Sequence, residues 1–108
     1  MSVQAVNDGN FGTSIRERGA TLVEFGAVWC PPCKALLPIM EELANEHGED
    51  LAVLKVDCDE SPLTASQYGV MSMPTVILFH NGEPVEKLVD LRPRAAYENV
   101  LAKYAVQV

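Results

Sequence analysis

The sequence predicts an α/β fold, with a mixed central β-sheet of five strands flanked by four helices on both faces. Apolar, strand-like runs alternate with helical patterns along most of the chain. Helices between the early strands require parallel crossovers, whereas the late Asn81-Gly82 turn makes the last two strands antiparallel. Because 108 residues suffice for one core, residues 1–108 are expected to form a single domain.

The first two strands and the helix between them are predicted from short apolar patterns. Val3–Val6 is a candidate strand, and a turn follows it. Phe11 and Ile15 are in i, i+4 positions, which indicates a brief helix with two arginines in its last turn and Gly19 at its end. The largely apolar run Ala20–Val28 predicts a strand buried on both faces.

The longest predicted helix covers Pro32–His47 and ends at Gly48. Pro38 lies inside this segment and is expected to kink the helix, because proline removes a backbone hydrogen bond. The apolar residues recur with the i, i+3, i+4, i+7 spacing of an amphipathic helix, at Leu36, Ile39, Met40 and Leu43.

The next strand and helix follow directly. The apolar run Leu51–Asp57 predicts a third strand. Ser61 is expected to cap a short helix that begins at Pro62, since proline is well suited to a first helical position. This helix is predicted to end at Tyr68, before Gly69.

A β-hairpin and a helix complete the predicted fold. Thr75–Phe79 is rich in β-branched and aromatic residues, and Pro84–Leu91 returns antiparallel to it after the Asn-Gly turn. Pro93 opens the last helix. One face of that helix is apolar and carries Tyr97, Val100, Leu101 and Tyr104.

The charge of the chain disfavours some classes of partner. The net charge is -7, from 15 acidic and 8 basic residues, and no basic cluster occurs. Binding to nucleic acid or to an anionic membrane is therefore disfavoured.

No apolar run approaches the ~18 residues of a membrane span, and no secretory signal pattern occurs at the N-terminus. A cytoplasmic monomer is expected.

The motif Trp-Cys-Pro-Pro-Cys-Lys at Trp29–Lys34 follows a predicted strand and opens a predicted helix. On the first turn of a helix, Cys30 and Cys33 are i, i+3 neighbours that can close and reopen a small disulfide. The free N–H groups at a helix start favour a thiolate, which is the nucleophilic form of cysteine.

A metal site is the main alternative interpretation of the cysteine pair. Such a site needs about four ligands. Only three further soft or imidazole ligands remain, and they are scattered along the chain, at His47, Cys58 and His80. A site within one chain is therefore disfavoured, whereas a metal or iron–sulfur centre bridging two chains stays open.

Taken together, several motifs resemble the thioredoxin family over nearly the whole chain. The Trp29–Lys34 motif, Pro38 inside the following helix, the Met73-Pro74-Thr75 segment and the Asn-Gly hairpin occur in that family's order and spacing. The resemblance implies a thioredoxin-like fold and a protein-disulfide reductase. It implies that Cys30, expected to be partly exposed, attacks a substrate disulfide, and that Cys33 resolves the mixed disulfide.

The resemblance also implies a substrate-binding surface. Trp29 would shield the sulfurs and contact the substrate, although a core tryptophan is an equally simple interpretation. Pro74 matches the family's cis-proline, beside which an extended peptide adds to the sheet. Met73 would line this groove, and Pro31 and Pro32 would border it.

Glu24 lies in the middle of a predicted buried strand, where an unpaired carboxylate is costly. By resemblance it occupies the place of a buried aspartate that relays a proton to the second cysteine, and Lys55 matches that carboxylate's lysine partner. Burial is expected to raise the pKa of Glu24, which suits a catalytic acid or base near pH 7. Alternatively, both side chains extend to water.

Three residues depart from the pattern of the family. Pro31 stands where glycine is usual, which predicts a redox potential shifted from the family's usual value. Gly26 stands where many relatives have a tryptophan, so aromatic bulk near the site is missing. Asp90 stands where the family has a glycine in the docking surface, and its charge is expected to narrow the range of protein partners. The third cysteine, Cys58, is most simply a small core residue, and a redox role is the alternative.

The resemblance implies how the protein is supplied with electrons. It implies no bound cofactor, a redox-active disulfide between Cys30 and Cys33, and re-reduction by a thioredoxin reductase that draws on NADPH. The expected partners are that reductase and disulfide-containing protein substrates. An interaction module that uses the fold without redox turnover is the remaining alternative.

Overall fold

The computed structural model describes residues 2–104. Within them, five strands and four helices follow the predicted order, and a 3₁₀ turn at Gly48–Asp50 precedes the third strand. None of these helices is both long enough and apolar enough to cross a bilayer. The elements are β1 (Gln4–Val6), α1 (Phe11–Ser14), β2 (Ala20–Gly26), α2 (Pro31–His47), β3 (Leu51–Asp57), α3 (Pro62–Gln67), β4 (Thr75–His80), β5 (Glu83–Val89) and α4 (Arg94–Lys103).

The five strands form one mixed sheet in the order β1-β3-β2-β4-β5. Strands β1, β3 and β2 are parallel, as predicted for strands joined by helices. Strand β4 runs antiparallel to β2, so the helical connection through α3 does not produce another parallel pair. The hairpin partner β5 is antiparallel to β4, and Asn81 and Gly82 both have the positive φ that a tight hairpin turn requires.

Strand β2 lies at the centre of the sheet, and all seven of its residues are buried. Alternate side chains point to opposite faces of a strand. Leu22 packs with buried residues of α2 and α4, such as Met40 and Leu101. Phe25 points to the other face and packs with Phe11 and Tyr68. Both faces of the sheet are thus covered, as predicted.

Two predicted ends are wrong because the chain turns earlier than its apolar pattern indicates. Strand β2 ends at Gly26, not at Val28, because the Ala27 carbonyl accepts a hydrogen bond from the Cys30 N–H (3.3 Å). Val28 is consequently 73% exposed. Helix α1 ends at Ser14, before its expected arginines, and the Arg16 guanidinium instead donates to the Glu49 carbonyl (2.6 Å).

The N-terminus of α3 is capped from a distant part of the chain. The Asp8 carboxylate accepts hydrogen bonds from the backbone N–H groups of Leu63 (3.2 Å) and Thr64 (2.8 Å) and from the Thr64 hydroxyl (2.6 Å). Ser61 occupies the N-cap position and Pro62 begins the helix, as predicted, but the Ser61 side chain makes no capping bond and its buried hydroxyl has no partner among the described residues. Asp8 supplies the side-chain acceptor instead, because the fold brings the loop after β1 to the start of α3.

The other predicted ends lie within about two residues of the observed ones. Helix α2 continues through Pro38, and its kink stays a prediction. The sheet and its helices bring the carboxyl ends of β2 and β3 next to the first turn of α2, which is where the cysteines lie.

Candidate active site

The two cysteines of the motif occupy the first turn of α2. Cys30 is the N-cap, with extended backbone geometry, and Pro31 and Pro32 fill the first helical positions, where their missing N–H groups are not needed. The Cys33 N–H donates a hydrogen bond to the Cys30 sulfur (3.3 Å). The two sulfurs form a disulfide, and the Cα atoms lie 5.3 Å apart. The i, i+3 geometry predicted from the spacing is present.

The expected partial exposure of Cys30 was wrong, since the residue is only 4% exposed. Both cysteines pack with Ala27 and Met73. The Cys30 sulfur lies 3.8 Å from the Met73 carbonyl oxygen. The loop before β4 therefore covers the sulfur, a contact between segments that are far apart in sequence.

This covering loop contains a cis peptide bond between Met73 and Pro74, as the resemblance implied. The Thr75 hydroxyl donates to the Ser72 carbonyl (2.7 Å) and holds the loop to the start of β4. Directly after β5, the Asp90 N–H donates to the Pro74 carbonyl (2.9 Å). Asp90 has a φ of 68°, in the left-handed region where glycine is favoured.

Trp29 lies on the surface and is 61% exposed, so the interpretation as a core tryptophan was wrong. Its indole Nε1–H donates to the Asp59 carboxylate (2.6 Å), which orients the ring next to the cysteine turn. Sequence reasoning missed Asp59, although its place just after β3 was a usable signal. Val28, next to the motif, and Met71, two residues before Met73, are further exposed apolar residues.

Glu24 is buried in β2, as predicted, with only 3% of the residue exposed. Its neighbour in β3 is Lys55 and its neighbour in β4 is Val76. Among the described residues, Glu24 and Lys55 form no ion pair within 4.0 Å, and Glu24 Oε2 has no hydrogen-bond partner. Burial raises the pKa of Glu24 to about 7, against a lowering by Lys55 and with a smaller rise from Asp57.

A cavity of about 240 Å³ lies between β2, β3 and the start of α2. Gly26 leaves part of this space open, because a Cβ there would lie 3.0 Å from the Cys33 sulfur and would collide with Glu24 Oε2. The carboxyl of Glu24 and the sulfur of Cys33 therefore border the same small volume. Its lining is completed by Ala27, Val28, Lys34, Leu37, Lys55, Val56 and Asp57.

The third cysteine lies beside this region without joining it. Cys58 is half-buried and packs against the buried residues on the face of the sheet that carries Phe11 and Phe25, and its N–H donates to the Gly26 carbonyl (2.9 Å). Burial, followed by the charge of Glu24, raises the pKa of Cys58 to about 11, so it stays a thiol near neutral pH. Within residues 2–104, no three His, Cys, Asp or Glu side chains are grouped so that they could hold a metal ion.

Comparisons with known proteins agree with this geometry. The thioredoxin family model matches residues 2–103. Thioredoxins from Staphylococcus epidermidis, Staphylococcus haemolyticus and Staphylococcus aureus are 45%, 44% and 43% identical over 104 residues, which is 96% of this chain and 99% of each relative. A solved mutant thioredoxin from Halobacterium salinarum NRC-1 has a TM-score of 0.88 at 35% identity, covering 99% of this chain and 94% of that one.

The metal-binding and non-redox alternatives receive no support from these comparisons. The Cys30–Cys33 disulfide on this fold is the arrangement that exchanges thiols for disulfides. The chain belongs to the thioredoxin family and is a thiol–disulfide oxidoreductase.

Proposed function

We propose that this protein works as a reductase of disulfides in other proteins, with Cys30 as the nucleophile and Cys33 as the resolving thiol. The observation that carries the proposal is the hydrogen bond from the Cys33 N–H to the Cys30 sulfur at the start of α2. A donor and a helix N-terminus next to one sulfur favour its thiolate over its thiol. Cys30 is therefore the sulfur that attacks and also the better leaving group.

The exchange proceeds in two balanced steps. The Cys30 thiolate attacks one sulfur of the substrate disulfide, and the other substrate sulfur leaves as a thiolate. Cys33 loses its proton and attacks the Cys30 sulfur, and the first substrate sulfur leaves. The substrate has then gained two electrons, and Cys30 and Cys33 are joined in a disulfide.

Glu24 is proposed to accept the proton of Cys33 during the second step. Its carboxyl borders the same cavity as the Cys33 sulfur, and burial brings its pKa to about 7. A base with that pKa is half-ionised near neutral pH, which suits it to both accept and release a proton. Lys55 is proposed to keep part of the Glu24 population ionised, because its charge lowers the pKa of that carboxyl.

The substrate is proposed to bind as an extended segment beside the loop before β4. Met73 and Pro74 would offer backbone groups to this segment, in the manner of strand addition. The exposed ring of Trp29 would cover its apolar side chains, and the exposed Pro31 and Pro32 would border the approach to the sulfurs.

Electrons are proposed to come from NADPH through a thioredoxin reductase, with no cofactor bound to this chain. A cytoplasmic location is proposed because a reducing compartment keeps such a dithiol ready to react. One chain holds both cysteines and Glu24, so the protein is proposed to act as a monomer.

The proposal is tested by serine substitution of each cysteine, with insulin as the disulfide substrate and dithiothreitol as the electron donor. Cys30→Ser is expected to reduce the rate to below about one-hundredth of the parent rate, since the nucleophile is removed. Cys33→Ser is expected to accumulate a mixed disulfide at Cys30, visible by mass spectrometry. The matched control, Cys58→Ser, is expected to keep the parent rate.

Two results would contradict the proposal. Reduction of insulin by the Cys30→Ser variant at the parent rate would exclude Cys30 as the nucleophile. Full biological activity of a variant that lacks both Cys30 and Cys33 would favour a non-redox interaction module instead.

A further inference from the structure

Glu24 and Gly26 are neighbours on one face of strand β2, because residues at i and i+2 of a strand point to the same face. Cys33, in helix α2, packs against this face. A Cβ on Gly26 would collide with Glu24 Oε2 and would lie 3.0 Å from the sulfur and 3.1 Å from the Cβ of Cys33. The end of the Glu24 side chain thus lies in the space that any side chain at position 26 would need.

Oε2 of Glu24 is buried and has no hydrogen-bond partner in residues 2–104. Lys55, which is opposite Glu24 in the sheet, forms no ion pair with it within 4.0 Å in the same part of the chain. Lys55 attracts the carboxyl from a distance, and the absence of a Cβ at Gly26 leaves the space that Oε2 occupies.

We propose that Gly26 is a positioning residue for the resolving step, and this inference rests on the proposed role of Glu24. Without a Cβ at position 26, the long glutamate side chain can extend past Gly26 and hold its carboxyl beside the Cys33 sulfur. The carboxylate then takes the proton from the Cys33 thiol. The resulting thiolate attacks the Cys30 sulfur, and the substrate sulfur leaves.

The inference predicts that residue 26 and the length of the acid at residue 24 are coupled. With glutamate present, the Cβ introduced by Gly26→Ala pushes the carboxyl away from Cys33. The Glu24→Asp side chain is one methylene shorter, so its carboxyl does not reach the space in front of position 26. In that background the same Cβ meets no carboxyl oxygen, and Gly26→Ala is expected to matter little.

A double-mutant cycle tests this coupling. The resolving step is followed as single-turnover release of a chromophoric thiol from a mixed disulfide at Cys30, across about pH 5 to 9. Gly26→Ala alone is expected to slow this step about tenfold and to remove the ionisation near pH 7 from its pH profile. In the Glu24→Asp background, Gly26→Ala is expected to slow the step less than about twofold.

Controls separate the inference from general damage to the fold. Gly12→Ala adds a Cβ with nothing within 4 Å and is expected to keep the parent rate and profile. The rate of Cys30 alkylation is expected to be the same in parent and Gly26→Ala, because the first step does not use Glu24.

Two outcomes overturn the inference, and they are distinct. Equal slowing by Gly26→Ala in the Glu24 and Glu24→Asp backgrounds would mean that the new Cβ acts directly on Cys33, so Gly26 would not position the acid. An unchanged rate and pH profile in Glu24→Gln would instead refute the proton-accepting role of Glu24, on which the inference rests.

Discussion

At Glu24, the requirements of folding and of catalysis oppose each other. Burial raises the pKa of this carboxyl from 4.5 to about 7. Between these values the folded protein binds the proton more tightly than the unfolded chain does, so the free energy of unfolding decreases as pH rises. The contribution of this raised pKa to the free energy of unfolding is fully present below pH 4.5 and is lost as the pH rises through about 7. A pKa shift of this size changes the free energy of unfolding by about 3 kcal/mol.

Replacement of the carboxyl tests this linkage. Glu24→Gln is expected to remove most of the decrease in the free energy of unfolding between about pH 5 and 8, because the amide does not ionise. Denaturant unfolding of the oxidised protein at a series of pH values measures this slope. The cost of burying an amide changes the level of the curve and leaves its slope unaffected.

The exposed Glu83 offers a matched control for that experiment. Glu83→Gln is expected to keep the parent slope. If Glu24→Gln also kept the parent slope, the raised pKa of Glu24 would be refuted.

Helix α3 takes its N-terminal cap from Asp8, a residue outside the helix. The Thr64 hydroxyl, and to a smaller extent the Thr64 and Leu63 N–H groups, lower the pKa of Asp8 against the opposing effect of burial. A group with a lowered pKa in the folded state stabilises the fold above its ordinary pKa, and this contribution is lost as pH falls through the folded value. The cap thus ties α3 to the loop after β1.

Removal of the cap is expected to loosen the start of α3. Asp8→Ala leaves the Leu63 and Thr64 N–H groups without their acceptor, so their amide hydrogen exchange should become several-fold faster. Glu60→Ala, at an exposed position just before this helix, serves as the control. Unchanged exchange at Leu63 and Thr64 in the Asp8→Ala variant would contradict the capping role.

The molecule as a whole presents an acidic surface to its partners. The net charge of -7 is accompanied at the site by Asp59 beside Trp29 and by Asp90 beside the Pro74 loop. The molecule measures 33 × 27 × 22 Å. At about 0.01 M salt the screening length is about 30 Å, so the field of the entire protein acts on an approaching substrate.

This surface predicts a preference for basic substrates. A disulfide peptide with flanking lysines is expected to react several-fold faster than one with flanking glutamates at about 0.01 M salt, and the two rates should converge near 1 M. Asp90→Asn is expected to reduce the low-salt preference, and Glu83→Gln, at the far end of the β4–β5 hairpin, should reduce it less. A preference that does not change with salt would exclude electrostatic steering.

Fold class, element order and the pairing of the cysteines could be predicted from the sequence, because they depend on neighbours along the chain. Apolar periodicity predicted the strands and helices, and the Asn-Gly turn predicted the final hairpin. The spacing of Cys30 and Cys33 places both on one helical turn wherever the helix lies. The burial of Glu24 followed from its place in an apolar strand.

Other features depend on contacts between residues far apart in sequence. The cover of Met73 over Cys30, the indole bond of Trp29 to Asp59 and the capping of α3 by Asp8 all arise when the sheet brings separate loops together. The open space at Gly26 is bordered by Glu24 and Cys33 because the packing of α2 on β2 brings the sulfur to the side chain of the strand. Local patterns determined which elements form and where the reactive sulfurs lie along the chain, whereas long-range packing determined how exposed, oriented and ionised the active-site groups are.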